Sequence, residues 1–212
     1  MLKMNIQPLT RERSGLDHKE WQSLKKLNTP AKIQDFLNSL KFNFEKDGDT
    51  NSSVGETLKR GSAQCLEGAF VAAAALWIQG KRPLILDLKA VRPDFDHVVT
   101  LFEKDGYWGA ISKTNHAALR YREPIYKSVR ELAMSYFHEY FLKNGRKTLR
   151  SFSKPFDLSK NTEWLSSKED LVDLAHRLDR SPHTEMLTKA QTKNLRRAEE
   201  IEVLAGELTE YE

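Results

Sequence analysis

The residues most able to do chemistry are a cysteine and a histidine placed 32 positions apart, Cys65 and His97. Cys65 stands in "GSAQCLEGAFVAAAALWIQG", where a short polar approach meets the longest apolar run of the chain. If that run is a helix, the thiol lies in its first turn, where free N–H groups and the helix dipole lower a thiol pKa below about 8.5. A thiolate beside an imidazole base can attack a carbonyl carbon. The pair therefore indicates a nucleophile, Cys65, and a general base, His97.

Both residues also have a purely structural interpretation. Free cysteine is among the most buried residue types, so Cys65 is also compatible with a small core residue. His97 opens the apolar stretch "HVVTLF", and a histidine at a strand end often only meets solvent. The polar neighbours Gln64 and Glu67 favour an accessible thiol over one in the middle of the core.

The two segments "GSAQCLEGAFVAAAALWIQGKRPLILDL" and "DHVVTLFEKDGYWGAIS" give a cysteine at a helix start, a strand, a strand that opens with histidine, and a third strand. This order resembles the core of the transglutaminase-like superfamily, a branch of the papain-like cysteine enzymes, over residues 55–115. The resemblance implies a papain-like α+β fold. It also implies acyl transfer through a thioester, with Cys65 as nucleophile and His97 as base. The expected reaction is hydrolysis or acyl transfer on an amide, such as a peptide bond or a glutamine side chain.

The family's third catalytic position, an aspartate, falls on Ser112 in this chain, and Asn115 is the rival because asparagine orients the histidine in papain-like enzymes. A two-residue turn at Asp105-Gly106 makes paired positions sum to 211. Ser112 then shares a sheet face with His97, whereas Asn115 points the other way unless a bulge intervenes. The expected oxyanion donors are the backbone N–H of Cys65 together with Gln64.

Serine orients an imidazole less strongly than a carboxylate does. The alternative function is therefore a transglutaminase-like module that binds or supports other molecules and has lost its chemistry. Thiol reactivity separates the two hypotheses, because a catalytic Cys65 should alkylate rapidly below pH 7 and a core cysteine should not.

Composition narrows the remaining choices. One cysteine among 212 residues excludes an intrachain disulfide and a multi-cysteine zinc site. No spacing of His97 and His116 with carboxylates forms a known ligand motif, so neither a metal nor a cofactor is expected. The net charge of +4 lacks the basic stripe of a nucleic-acid binder, and no nucleic acid is expected as a partner. The expected partner is a peptide or protein substrate, and the oligomeric state is left open.

Targeting signals point to the cytoplasm. The N-terminal residues lack the apolar stretch of a secretory signal, and the apolar run at 65–78 is shorter than the roughly 20 residues that span a bilayer. The sequence therefore predicts a cytoplasmic protein with no membrane segment.

The predicted elements define an α+β class, with a buried helix packed on a small antiparallel sheet and further helices around it. Helices are expected from Pro30, over 54–60, over 63–79 and from Tyr126 to Gly145; strands are expected over 83–91 and 97–112. We assign residues 1–150 to a transglutaminase-like domain and residues 151–212 to a helical C-terminal extension.

Overall fold

A computed structural model describes residues 4–46 and 48–212, which form an α+β protein. Its helices are α1 (Arg11–Ser14), α2 (His18–Lys25), α3 (Pro30–Ser39), α4 (Val54–Arg60), α5 (Cys65–Ile78), α6 (Val129–Met134), α7 (Glu163–Ser166), α8 (Val172–Asp179), α9 (Lys189–Lys193) and α10 (Glu200–Glu207). Its strands are β1 (Lys41–Phe42), β2 (Ser62–Ala63), β3 (Leu84–Ala90), β4 (His97–Lys104), β5 (Tyr107–Ser112), β6 (Arg122–Tyr126), β7 (Leu149–Ser153), β8 (Phe156–Asp157) and β9 (His183–Glu185).

One antiparallel sheet organises the chain. Its strands follow the order β6-β5-β4-β3-β7-β9, and β8 pairs with the beginning of β3 beside β7. The two short strands β1 and β2 form a separate parallel pair. Strands β3, β4 and β5 therefore form the middle of the sheet, next to the start of α5.

Helix α5 packs on one face of the sheet and α6 packs on the other. Along β4, Val98 and Phe102 belong to the core cluster that contains α5, whereas Val99 and Leu101 belong to the cluster that contains α6. This division follows from the alternation of side chains along a strand. A residue's position along β4 thus decides which helix it meets.

Helix α5 is apolar on every side and is accordingly buried from Leu66 to Trp77. Its small residues allow close approach to the sheet: Thr100 Oγ1 in β4 donates to the Ala69 carbonyl at 2.7 Å. Near the other end, the Trp77 ring stacks on Trp164 with centroids 6.2 Å apart. The predicted helix over 63–79 is confirmed, with a start at Cys65 itself.

The hairpin predicted at Asp105-Gly106 is confirmed. Both residues have positive φ, 53° and 83°, as a two-residue type I′ turn requires. Lys104 pairs with Tyr107, and the ladder continues to Val99 opposite Ser112. The paired positions therefore sum to 211, the register expected from the turn.

Two segments differ from the sequence-based expectation. Tyr126 ends a strand instead of opening a long helix, and of the block that follows only Val129–Met134 is α-helical. The residues beyond 151 contain the helices α7 to α10 but also strands of the main sheet, so this part is not helical throughout. The physical reason is that the open edges of β3 and β5 offer backbone partners, and sheet pairing overrides local helix propensity. Pro124 lies in β6, an edge strand, where a missing N–H is tolerated.

No helix within residues 4–46 and 48–212 is both long enough and apolar enough to cross a membrane.

Candidate active site

Cys65 is the first residue of α5, and Gln64 is the N-cap of that helix. The Gln64 Oε1 accepts from the Leu66 N–H at 2.6 Å, and Glu67 accepts from the Gln64 N–H at 3.0 Å. These two bonds form a capping box, which fixes where the helix begins and therefore where the thiol lies. Gln64 was expected to supply an oxyanion donor, but its backbone N–H is already bonded to Glu67. The Cys65 N–H has no hydrogen-bond partner among the described residues.

The carboxylate that holds this cap is itself buried. Glu67 is 0% exposed and bonds Arg60 Nη2 at 2.5 Å. Burial alone would raise the pKa of Glu67, but hydrogen bonds from Arg60, Gln64 and Asn43 outweigh it and lower the pKa. Glu67 is thus an anion that ties α4 to the start of α5.

His97 and Ser112 are in direct contact across β4 and β5. The His97 Nε2 lies 2.7 Å from Ser112 Oγ, and Ser112 Oγ donates to the Leu119 carbonyl at 2.5 Å. A hydroxyl has one hydrogen, and a carbonyl can only accept, so Ser112 must accept its second bond from the imidazole. This chain of bonds places a proton on His97 Nε2 and leaves the lone pair on Nδ1.

Ser112 and Leu119 are each held on more than one side. The side-chain amide of Gln34 in α3 donates to the Ser112 carbonyl at 2.8 Å and accepts from its N–H at 3.0 Å. Leu119 has a left-handed backbone, φ 60°, which is strained for this residue, and its N–H donates to Glu139 at 2.6 Å. Strain maintained by surrounding bonds is common where a chain must aim a group accurately. Here it aims the Leu119 carbonyl at Ser112.

Cys65 and His97 are not hydrogen-bonded to each other in residues 4–46 and 48–212. The thiol lies on the α5 side of the sheet, near the Val98 backbone N–H. The His97 ring points to the α6 side, because it shares a face with Val99 and Ser112. In β4, Val98 therefore faces the Cys65 thiol, whereas the ring of its neighbour His97 lies on the opposite face of the sheet.

The pKa values of both groups favour neutral forms. Burial raises the pKa of the Cys65 thiol to about 11, although N–H groups of Val98 and Leu66 act in the opposite direction. Burial also lowers the pKa of His97 to about 4, with a further contribution from His116. The expectation that the helix N-terminus would lower the thiol pKa is wrong in this conformation. The desolvation of the sulfur outweighs the helix dipole.

Asn115, the rival third residue, bonds elsewhere. Its amide donates to the Tyr211 carbonyl and accepts from the Tyr211 N–H, each at 2.9 Å. The structure therefore brings Ser112 to His97 and uses Asn115 to hold a segment near the C-terminus.

A histidine–carboxylate pair, with a half-buried His183 and a buried Asp87, lies on the α5 side of the sheet and was missed by sequence reasoning. His183 Nε2 is 3.0 Å from Asp87 Oδ2, and its Nδ1 is 2.6 Å from the Ser181 carbonyl. The hydrogen bond to Asp87 raises the pKa of His183, since both ring nitrogens face acceptors. The signal in the sequence was Asp87 itself, an acid in the apolar run "PLILDLKAV".

Carboxylate oxygens of Asp87, Asp96 and Asp179 lie within 4.8 Å of one another, the spacing that could hold a cation. Cationic side chains already meet this charge. Lys89 Nζ is 2.6 Å from Asp179 Oδ1, and His183 is bonded to Asp87. The cluster is therefore an ion-pair group that runs from buried Asp87 to exposed Asp179 and joins β3 to α8 and β9.

Comparison with models of known protein families and with curated protein sequences finds no match for this chain.

Proposed function

We propose that this protein is a transglutaminase-like cysteine enzyme with a papain-like core, which hydrolyses or transfers the acyl group of a peptide or glutamine-type amide. The observation that carries the proposal is the bonding of His97. One ring nitrogen donates to Ser112, which is fixed in turn by Leu119, and the other keeps its lone pair. A general base needs this arrangement, in which an orienting group sets the tautomer.

The reaction would begin when the Cys65 thiol gives its proton to His97 Nδ1. The sulfur then bonds to the amide carbonyl carbon, and the Cys65 N–H stabilises the oxyanion. As the C–N bond breaks, the imidazolium returns the proton to the leaving nitrogen, and a thioester remains. Water or an amine attacks the thioester, releases the acid or a new amide, and restores the thiol.

This proposal requires the sulfur and His97 Nδ1 to approach when substrate binds. Catalytic hydrogen bonds are often long in ligand-free enzymes and tighten only in the complex. The thiol and the ring lie on opposite faces of the sheet, so the imidazole must turn around the start of β4, where His97 is the first residue, to reach the sulfur. A cytoplasmic location is part of the same proposal, because the single cysteine is free and must stay reduced to react.

A second candidate is a catalytically inactive transglutaminase-like module that binds a partner. It is favoured by the raised pKa of Cys65, about 11, together with the absence of a bond between this thiol and His97 among the described residues.

Acylation by a reactive ester tests the choice between the two. With p-nitrophenyl acetate, the enzyme should release a burst of about one nitrophenolate per chain, and the acetyl group should be found on Cys65. Cys65→Ser should lose the burst, and His97→Gln should slow it by about 100-fold, the usual size of general-base catalysis. Because the chain has one cysteine, no other thiol can give the signal.

The amide reaction is checked separately with a glutamine-containing peptide and hydroxylamine, which yields a hydroxamate if acyl transfer occurs. A native protein in which the ester acylates Cys65 no faster than a free thiol peptide would leave the inactive module as the function.

A further inference from the structure

Residues 208–211, called here the C-terminal segment, run antiparallel along residues 115–117. The Ala117 N–H donates to the Leu208 carbonyl at 2.9 Å, and the Glu210 N–H donates to the Asn115 carbonyl at 2.8 Å. His116 and Thr209 form the antiparallel bridge between these two bonds. The segment is thus held by the pairing that one strand offers another.

Asn115 adds two bonds to the backbone of the same segment. Its side-chain amide meets both the N–H and the carbonyl of Tyr211 at 2.9 Å. Together, four hydrogen bonds join main-chain groups of the C-terminal segment to residues 115–117, and none of them uses a side chain of that segment. Such contacts bind an extended chain largely irrespective of its sequence.

The side chains of the segment contribute modest specificity. Leu208 is 64% exposed, so its apolar side chain adds little. The Tyr211 ring lies with its centroid 5.7 Å from the buried Lys113 Nζ, and Glu210 lies 3.5 Å from Arg120. These contacts favour an acidic residue, which forms an exposed ion pair, followed by an aromatic residue, which forms a cation–π contact.

The groove that holds the segment begins beside the candidate active site. Ser112, which bonds His97, is followed directly by Lys113. A Cβ built on Gly68 in the first turn of α5 would lie 2.4 Å from Lys113 Cβ, so this residue also touches the helix that starts at Cys65. A chain lying on residues 113–117 therefore runs next to both the thiol-bearing helix and the histidine-bearing strand.

We propose that residues 113–117 form a binding groove for an extended peptide of another protein, with Asn115 as the clamp on its backbone, and that the C-terminal segment occupies this groove in cis. The preferred occupant carries an acidic residue next to an aromatic one. This inference extends the proposed function by naming the substrate as an extended polypeptide, but binding at the groove does not depend on the thiol chemistry. In the native chain, the tethered segment competes with a free peptide at a high effective concentration.

The test uses the full chain with a released segment, Glu210→Pro/Tyr211→Pro. Proline has no N–H, so these changes remove two donors that hold the segment, the N–H groups of Glu210 and Tyr211. The probe is a fluorescein-labelled peptide with the sequence GELTEYE, and binding is followed by anisotropy. We expect the released chain to bind the probe at least about tenfold more tightly than the native chain, because the competitor in cis is gone.

Variants of the released chain then identify the contacts. Asn115→Ala should weaken binding by about tenfold or more, the effect of two lost hydrogen bonds. Asn194→Ala, at an exposed position, is the matched control and should bind as the released chain does. A GELTEYE probe whose tyrosine is replaced by proline should bind the released chain as weakly as the unchanged probe binds the Asn115→Ala variant. A probe with the same residues in scrambled order should lose only a few-fold in affinity for the released chain.

The results separate this inference from the enzyme proposal. Cys65→Ser in the released chain should leave the affinity for the peptide unchanged. The binding test therefore gives the same result whether or not Cys65 is a catalytic nucleophile. If the released chain does not bind the probe, or if Asn115→Ala binds it equally well, the groove is not a peptide site and the C-terminal segment is only a packing arm.

Discussion

Ser112 Oγ lies 2.7 Å from His97 Nε2 and donates its own hydrogen to the Leu119 carbonyl. The imidazole is therefore a fixed tautomer in a buried place, with its proton on the side away from α5. Its position has consequences for stability, for the thiol and for the packing of α5, each of which is open to measurement.

The first consequence is a loss of stability in acid. The pKa of folded His97 is about 4, below its usual value of 6.5, because burial disfavours the imidazolium. The unfolded chain thus binds a proton on His97 at a higher pH than the folded chain does. The free energy of unfolding falls as pH drops from about 6.5 to about 4, by about 3 kcal/mol from this group, and the change is complete below the folded pKa.

The measurement is urea unfolding at pH 7 and pH 4.5 for the native chain and for His97→Asn. Other groups titrate in this range, so the prediction concerns the difference between the two chains. His18→Asn, at an exposed position, is the matched control. Parallel pH curves for the native chain and His97→Asn would contradict the buried, neutral histidine.

The second prediction concerns the reactivity of the thiol. With the pKa of Cys65 raised to about 11 by burial, very little thiolate exists near neutral pH. Iodoacetamide should label the ligand-free native chain at pH 8 at least about tenfold more slowly than it labels the chain in denaturant, and the native rate should keep rising up to pH 10. The rapid alkylation below pH 7 expected from the sequence is therefore not expected of the ligand-free chain, and the ester burst, in which a substrate is present, decides between the enzyme and the inactive module. A labelling midpoint below pH 8.5 would show that the thiol and His97 form an ion pair in solution.

The hairpin shows what local sequence could predict. Asp105 and Gly106 both need positive φ, and these two residues alone fixed the turn and the pairing of Val99 with Ser112. The helix from Cys65 to Ile78 was equally accessible, because an apolar run of that length between Gln64 and Gly80 has few alternatives. The strands Arg122–Tyr126 and His183–Glu185 were missed because neither has a strong local pattern, and each is defined by its pairing with another strand, β5 and β7 respectively.

The site shows a different limit. Alternation along β4 placed His97 and Ser112 on one face, and the structure has them in contact. Alternation does not say which face meets α5, and that choice separates the ring from the thiol. The pKa of Cys65 was misjudged for a related reason, since the dipole of a helix can be seen in a sequence but the desolvation of one sulfur atom depends on packing from several elements.

A third prediction tests the bond between His97 and Ser112. Nitrogen-15 spectra of the native chain at pH 7 should show His97 as the tautomer protonated on Nε2. Ser112→Ala removes an acceptor for that N–H and a donor to the Leu119 carbonyl, both in a buried place, and should cost about 1–3 kcal/mol of stability. Asn115→Ala should leave the His97 signals unchanged, because its side chain bonds Tyr211 instead. A change in the His97 tautomer with the asparagine variant alone would assign the orienting role to Asn115.

The last prediction concerns the contact between α5 and the end of β5. Gly68 lies in the first turn of α5, and a Cβ built there would be 2.4 Å from Lys113 Cβ and 3.1 Å from its Cγ. Alanine normally stabilises a helix interior relative to glycine by about 1 kcal/mol. Gly68→Ala should instead destabilise this chain by about 1–3 kcal/mol, since Lys113 is 1% exposed and its Nζ is bonded to the Leu40 carbonyl, so it has little freedom to move.

The double variant Gly68→Ala/Lys113→Gly serves as the matched test, because it removes the atoms that the new methyl group would meet. Comparing its unfolding free energy with that of Lys113→Gly alone isolates the clash, as in a double-mutant cycle. Against the Lys113→Gly background, Gly68→Ala should be neutral or stabilising. The single variant should also change the rate at which Cys65 is alkylated, because the displaced first turn carries the thiol with it. If Gly68→Ala stabilises the native chain, α5 does not approach Lys113 closely. The proposed peptide groove at residues 113–117 would then not lie beside the helix that carries the thiol.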